Sequence, residues 1–377
     1  MNVTERNRCC ICNSEKLINE ITISNFPILM GTTSASAADD LYYDQSWVVC
    51  QSCGCLQLSK LIPLEILYSV QHSAGTEGQI WHNHHQQFAE FILEDSPSDI
   101  CEIGAAHGEL SRIILNRKPN TEYSIIEPSP IDIPEQVKVI VGYAEDHLKE
   151  ISDHSNIVHS HVLEHLYNPT NFLSKIAESM AVNSIMYISF PNIERLIATR
   201  GTNSLNFEHS YFLHQDQIAS VLKSLGLNIL RQKKYIEHSY FLKVGKIKNL
   251  PLNEKIEILN ISHSIKPFRE MWNELNSFVE STNHGLRSKK VPTYVFGAHV
   301  FSQSLISLGL EIGLIEGILD NAKAKQGQRL YGTNLTVSNP SIIQGKNAVR
   351  VILKASHYQE EIRNQLLGLN PLVEIIE

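Results

Sequence analysis

Apolar and polar positions follow two rhythms along the chain, a two-residue alternation and a three-to-four-residue recurrence, and between residues 96 and 247 these take turns. An apolar run closes at Ile103 and is followed by Gly104 and Gly108. Leu110, Ile113 and Ile114 then recur at helical spacing. Tyr123 to Ile126 reads as a strand ending in Glu127-Pro128, and Asn156 to Ser160 and Ile185 to Phe190 read as two more, the last stopped by Pro191-Asn192. Between them Asn168-Pro169 marks a helix start, because proline is preorganised for a first turn, and Phe172, Leu173, Ile176, Ala177 and Met180 make its buried stripe. Ile218, Val221, Leu222 and Leu225 share one side of a further helix, with Gly226 as its stop. Strands and helices alternating in this way predict an α/β fold built on a parallel sheet.

Outside that stretch the pattern changes. Residues 61–95 read as a helical connector in which Pro63 opens one turn and WHNHHQQFAEFI forms a longer helix. His82 and His85 share a face of it, but no third ligand stands at a suitable spacing, so a solvated or pocket-lining helix is expected. Gly75, Gly78 and Gln79 predict a loop bending near a ligand just before Trp81. Residues 248–288 read as a helical bridge with Ile258, Leu259, Phe268, Met271, Trp272, Leu275 and Phe278 on its packed side. From 289 to 377 a second α/β unit is expected: Tyr294 to Phe296 as a strand, Gly297-Ala298 opening a helix with Phe301, Leu305 and Leu308, and Asp320-Asn321 closing the next strand. Its turn has one glycine instead of a dinucleotide set, which disfavours NAD. Lys323 and Lys325 near the strand end read either as partners of a diphosphate or as a solvated loop.

Composition narrows the classes. A chain of 377 residues with 42% hydrophobic and 19% charged positions predicts two or three globular domains. No apolar run approaches the roughly 18 residues that cross a bilayer, so a soluble, cytoplasmic protein without a membrane partner is expected. The net charge of −8 argues against nucleic acid. Six of the seven cysteines fall within the first 55 residues, and Cys9-x-x-Cys12 with Cys50-x-x-Cys53 form two knuckles of the kind whose thiolates converge on structural zinc. Cys10 and Cys55 are spares, although Cys55 could replace Cys53. A lobe of residues 1–60 has little core of its own, so metal ligation is expected to supply most of its stability.

The stretch ICEIGAAHGEL, Ile100 to Leu110, places Glu102 two positions before Gly104 and Gly108 four beyond. Its E-x-G-x-x-x-G resembles motif I of the class I S-adenosylmethionine (SAM) dependent methyltransferases. That resemblance implies a cofactor-binding turn of Glu102, Gly104, Ala105, His107 and Gly108, with the acidic residue near the cofactor's amino end. Glu127-Pro128, about twenty residues on, suits the two ribose hydroxyls of an adenosine. The loop holding Ala144 and Glu145 would pack on adenine, Ser160 and His161 would pass beneath the methionine portion, and Trp81 either covers the pocket or belongs to the core.

The cysteine lobe, this core, FEHSYFL from Phe207, and VFGAHVFSQSL with ILDNAKAKQGQRLYGTNL resemble, in that order, the nucleotide-sugar C-methyltransferase family, which includes C-3 methyltransferases of deoxysugars. The resemblance spans almost the whole chain. It implies a zinc-binding domain (1–60), the connector (61–95), a SAM-binding Rossmann-like domain (96–247), the bridge (248–288) and a C-terminal Rossmann-like domain (289–377) that helps hold a sugar nucleotide. It also implies that Glu208, His209 and Tyr211 border the sugar, with His209 as general base. An imidazole suits removal of a proton beside a keto group. The chain departs from the sugar C-methylating members at Asn206, Gln71 and His72, where those carry tyrosines, so methylation of a hydroxyl on the same scaffold is an equal expectation. An amino-sugar nitrogen or a catalytically silent SAM-binding module are the alternatives. EHSYFL occurs twice, at Glu208 to Leu213 and at Glu237 to Leu242; the second copy reads as a sheet strand and not as a site. Monomer and dimer are both compatible with the sequence.

Overall fold

The computed structural model describes residues 1–68, 79–201, 205–246, 261–355 and 358–377. The expectations for Gln71, His72, Gly75 and Gly78 and for the start of the bridge, Ile258 and Leu259 included, lie outside the described residues.

A seven-stranded sheet forms the centre. From one edge its order is Leu227–Tyr235, Ser239–Lys246, Ile185–Pro191, Asn156–Ser160, Asp99–Ile103, Glu122–Glu127 and Lys138–Val141. The last five run parallel, and Ser239–Lys246 joins antiparallel to Ile185–Pro191, with Leu227–Tyr235 antiparallel beyond it. Residues alternate between the two faces as a strand's period demands. Ile100, Tyr123, Ile125, Val158 and Phe241 pack under Phe88, Phe91 and Ile92 of the helix Gln79–Leu93 and under Leu110 and Ile114 of the helix Glu109–Arg117. Cys101, Ile157, Met186 and Leu242 pack on the other side against Phe172, Leu173 and Ile176 of Pro169–Ser179 and Ile218 and Leu222 of Gln215–Ser224. Asn168 caps its helix by accepting from the Asn171 N–H, with Pro169 in the first turn. The direction of the strand order reverses between Asp99–Ile103 and Asn156–Ser160, and ligands of such sheets sit in the crevice beyond the carboxyl ends of the strands there.

The N-terminal region departs from expectation. Its long strands Leu17–Pro27 and Tyr42–Cys50 pair antiparallel, Leu56–Leu58 adds to them, and Tyr211–Phe212 from the middle of the chain completes a four-stranded sheet. Phe26, Trp47, Phe212 and Phe268 meet in its core, the last supplied by the helix Ile261–Ser288. The Trp47 and Phe212 ring centroids stand 4.5 Å apart. An apolar core borrowed from two distant segments supports the lobe beside its cysteines, which a count made within residues 1–60 misses. Thr32–Thr33 also pairs with Arg329–Leu330, and Arg329 grips the buried Asp40 carboxylate through both of its oxygens at 2.7 Å.

The third sheet has five strands, all parallel, in the order Val337–Ser338, Gly317–Leu319, Thr293–Phe296, Val349–Ile352 and Val373–Ile376. Its first turn leads through Gly297 into the helix Val300–Ser307.

Candidate active site

Beyond the strand Asp99–Ile103 the chain turns through Gly104 at φ +73° and Gly108 at φ +64°, both in the left-handed region that favours glycine. A Cβ on Gly104 would lie 2.6 Å from Val162 Cγ2, and one on Gly108 would lie 2.9 Å from Ile133 Cδ1, so close approach as well as dihedral demands glycine. Ala105 is half-buried, and Ala106 and His107 are exposed at the top of the turn. The Ala106 N–H donates to Glu127 Oε2 at 3.1 Å, and the Ser129 N–H donates to the other oxygen at 2.9 Å. That places the half-buried Glu127 carboxylate beside the glycine turn, with Pro128 exposed after it. Glu102 lies deeper. It is 3% exposed and accepts from the Tyr123 hydroxyl at 2.7 Å. Burial pushes its carboxyl up to about 7 although the Tyr123 hydrogen bond works the other way. Ala144 is buried and Glu145 half-buried in the short turn after Lys138–Val141.

Ser160 ends its strand and His161 follows at φ +53°. His161 Nδ1 meets Glu164 Oε1 at 2.8 Å, and its ring lies 4.8 Å from that of Trp81. Trp81 is half-buried over this corner of the crevice.

His209 stands on the neighbouring loop, and the fold takes hold of that loop from several directions. The Ser210 N–H donates to the Glu164 carbonyl at 3.2 Å, Ser210 Oγ donates to the Leu166 carbonyl at 3.0 Å, and the Tyr211 hydroxyl donates to the Leu163 carbonyl at 2.5 Å. Asn206 Oδ1 accepts from the His209 N–H at 2.8 Å. From the N-terminal region, Arg6 donates to the Ser210 carbonyl at 2.8 Å and the Tyr167 carbonyl at 2.7 Å. The loop after Asn156–Ser160 and the loop carrying His209 thus form one unit. Its product is a triad that no short motif displays: Glu164, His165 and His209 each present a ligating atom within 4.8 Å of the others, and the two imidazole centroids stand 4.9 Å apart. Glu208 is buried, with Oε2 4.0 Å from His165 Nδ1.

Beside the triad lies a small cleft, walled by Phe190, Pro191, Ile193 and Leu196 and lined on its polar side by Glu164 and His209. Burial drives the His209 imidazole down to about 3, helped by His165 and opposed by Glu164, so the ring is neutral at physiological pH. Burial would raise Glu164, but His161, His165 and His209 outweigh it and hold the carboxyl near 2. A charged carboxylate therefore faces the neutral His209 ring. Glu164 Oε2 is buried and has no hydrogen-bond partner among the described residues. The sequence pattern assigns Glu164 and His165 no role; a Glu-His pair directly after a sheet strand is the available signal.

The four knuckle cysteines also come together. Cys9 and Cys53 Sγ are 3.5 Å apart, as are Cys12 and Cys50, and all four lie within 4.8 Å of one another. A tetrahedral centre with about 2.3 Å metal–sulfur bonds has sulfur–sulfur edges of roughly 3.8 Å, so the set can bind a metal. The Ile11 and Ser52 N–H groups donate to Cys9 and Cys50 Sγ, both at 3.4 Å. Cys55 stays out of the cluster, its thiol turned toward the Leu56 and Phe212 carbonyls.

Residues 78–232 match the family profile described as a methyltransferase domain. No curated protein matches the chain in sequence. Among solved structures it is similar to mitomycin 7-O-methyltransferase, at 14% identity over 45% of this chain and 55% of that one with a TM-score of 0.37. It is likewise similar to an 8-amino-8-demethyl-riboflavin dimethyltransferase from Streptomyces davawensis (16%, 44% and 55%, TM-score 0.36) and to a glycopeptide N-methyltransferase complexed with SAM (13%, 43% and 94%, TM-score 0.34). The chain thus spans little more than half the length of the first two of these structures. None of its described helices is long and apolar enough to cross a membrane.

Proposed function

We propose that the chain is a SAM-dependent methyltransferase, that its acceptor is a nucleotide-linked sugar and that His209 is the general base. The observation that carries the reading is the meeting of His209, His165 and Glu164 on a cleft at the carboxyl ends of the sheet, one loop away from the glycine turn. The residues present fit the cofactor. The turn from Gly104 to Gly108, Ala105 and His107 included, would bring backbone close to it, Glu127 would take the ribose hydroxyls, Ala144 and Glu145 would flank adenine, and Ser160, His161 and Trp81 would hold the methionine end, with Glu102 buried beneath. Bound SAM supplies an electrophilic methyl group on a sulfonium.

The protein's own part is to place and deprotonate the acceptor. His209 is neutral and has a lone pair to take a proton, and the ionised Glu164 favours the imidazolium that results, against the burial that by itself makes the ring a weak base. Glu208 binds a sugar hydroxyl or steadies His165. Tyr211 is a positioning residue, because its hydroxyl is committed to the Leu163 carbonyl. Asn206 favours a hydroxyl over a keto-adjacent carbon as acceptor, since its amide caps the His209 backbone and offers no phenol to an enolate. Lys323 is exposed and available to a diphosphate, whereas Lys325 already faces Asp320 at 3.4 Å. Cys9, Cys12, Cys50 and Cys53 hold a structural zinc that steadies the lobe pressing on Ser210. We keep the domain bounds 1–60, 61–95, 96–247, 248–288 and 289–377, with 205–213 shared between the cofactor domain and the N-terminal sheet, to which Tyr211–Phe212 adds a strand.

Incubating the protein with methyl-labelled SAM and a panel of nucleotide sugars tests this. Label should pass to at least one of them, and carbon NMR of the product should show an O-methyl group. Transfer only to free, non-nucleotide acceptors while SAM still binds would sink the acceptor assignment.

A further inference from the structure

A second histidine cluster lies on the far side of His161 from the cleft. His84 of the helix Gln79–Leu93, His161 after the strand Asn156–Ser160, and His238 in the turn before Ser239–Lys246 converge from three distant parts of the chain. Their ring centroids are 5.1, 5.6 and 5.7 Å apart, and each presents a ligating nitrogen within 4.8 Å of the other two. Trp81 packs edge-on against all three rings, at 5.3, 4.8 and 4.7 Å.

The hydrogen bonds are those of rings held for a ligand. His84 is fully buried. Its Nε2 meets Ser189 Oγ at 2.8 Å, while its Nδ1 is buried without a hydrogen-bond partner among the described residues. Buried ring nitrogens are ordinarily satisfied, so one left over points to a group that belongs there. His161 has its Nδ1 on the Glu164 carboxylate, the outer partner that fixes the ring and raises the donor strength of the opposite nitrogen in metal-bound histidines. That opposite Nε2 faces Ser239 Oγ at 3.0 Å, and the same hydroxyl meets His238 Nδ1 at 2.6 Å.

We propose that His84, His161 and His238 form a binding site for a divalent transition-metal ion, separate from the cysteine cluster. Donors that are all imidazole suit ions of the zinc, copper, nickel and iron class and not magnesium or calcium, which take oxygen. Metal–nitrogen bonds of about 2.0–2.1 Å set tetrahedral edges of roughly 3.4 Å, which the three rings, with ligating nitrogens within 4.8 Å of one another, would reach by closing on the ion. The site stands whether or not His209 is a base, since none of its ligands comes from the His209 loop.

The test uses the full chain loaded with one equivalent of zinc, which the four thiolates take first, and titrated with Co²⁺. One further equivalent should bind, with weak d–d absorption, no sulfur-to-cobalt charge transfer, and quenching of Trp81 fluorescence. His84→Ala and His238→Ala should each abolish the extra uptake and the quenching. His85→Ala, a neighbour outside the trio, should retain both, and Trp81→Phe should lose the quenching but keep the uptake. Glu164→Gln should weaken affinity about 10- to 100-fold. Because His84 is a core residue, His238→Ala in the turn keeps the test informative if His84→Ala does not fold. Zinc-loaded wild type that takes up no Co²⁺, or His238→Ala that binds it as wild type does, overturns the proposal.

Discussion

Glu208 to Leu213 and Glu237 to Leu242 have the same six residues, EHSYFL, and lie on opposite sides of one functional corner. In the first copy Glu208 and Tyr211 are buried, only Tyr211–Phe212 is strand, and that strand pairs with Leu56–Gln57 of the N-terminal sheet. Arg6 holds Ser210, and His209 is turned to Glu164 and the cleft. In the second copy Glu237 is exposed on Lys234 and Tyr240 is half-exposed near Glu194. Ser239 opens a full strand of the central sheet, whose Phe241 and Leu242 feed opposite cores. Yet His238, just before that strand, reaches the ring cluster of His84 and His161. Identical strings therefore yield a loop histidine on the cleft and a turn histidine behind it, with His161–Glu164 between them. What differs is the backbone on either side: the turn at Ile236, at φ +41°, leads into a hairpin, whereas Asn206 and Arg6 hold the first copy as a loop.

The largest test of the asymmetry is His209→Ala against His238→Ala. The first should lower kcat by about 10²- to 10⁴-fold, the usual share of a general base, with SAM affinity by calorimetry unchanged. The second should cost less than about tenfold in the same assay. Equal losses would mean that the copies share one role.

Glu164→Gln touches both sides. It removes the charge that favours an imidazolium at His209 and the partner of His161, and kcat should fall about 10- to 100-fold, between the two histidine variants. Wild-type kcat in this variant would place the base elsewhere.

The tyrosines sharpen the contrast in stability. Tyr211→Phe removes one of the two donors to the Leu163 carbonyl, the other being the Leu166 N–H, and should lower unfolding free energy by about 0.5–1.5 kcal/mol. Tyr240→Phe should stay within about 0.5 kcal/mol. Urea titration followed by circular dichroism compares them directly.

The smallest effect is in pH dependence. His84 is held well below its usual 6.5, His85 and His159 near 4 and His209 near 3, in each case first by burial. Because these folded values are depressed, their contribution is complete above pH 6.5 and is lost as pH falls toward 3, where the unfolded chain takes up protons first. Glu102 has the opposite sign. Its value, raised to about 7, favours the fold below about pH 4.5, and that contribution is lost as pH rises through 7. Melting temperature should fall on acidification below pH 6.5, and Glu102→Gln should raise it at pH 8 relative to wild type. An unchanged melting temperature down to pH 4 would contradict the buried, neutral state of these rings.

The central sheet was legible because its signals are local. Ile100 to Gly108, Tyr123 to Pro128, Asn168-Pro169 and the helical stripes each specify an element from neighbouring residues, and strands such as Asn156–Ser160 lie where the pattern puts them. The cysteine cluster was legible because two short spacings suffice to bring four thiols together. The N-terminal core was not, since Phe212 and Phe268 enter it from more than 150 residues away. The three-histidine cluster was hidden for the same reason: along the helix His82 and His85 share a face without a third ligand, while His84 finds its companions only where the sheet's loops meet.

By itself the sequence determined the alternation of strands and helices, the glycines at the cofactor turn and the paired knuckles, because dihedral preference, hydrophobic period and short spacing act within a few residues. Only the tertiary structure decided which EHSYFL faces the cleft, which histidines become neighbours, and that Arg6 reaches across to hold Ser210, because contacts between distant segments follow from how sheets and loops pack, and six identical residues contain no record of what surrounds them.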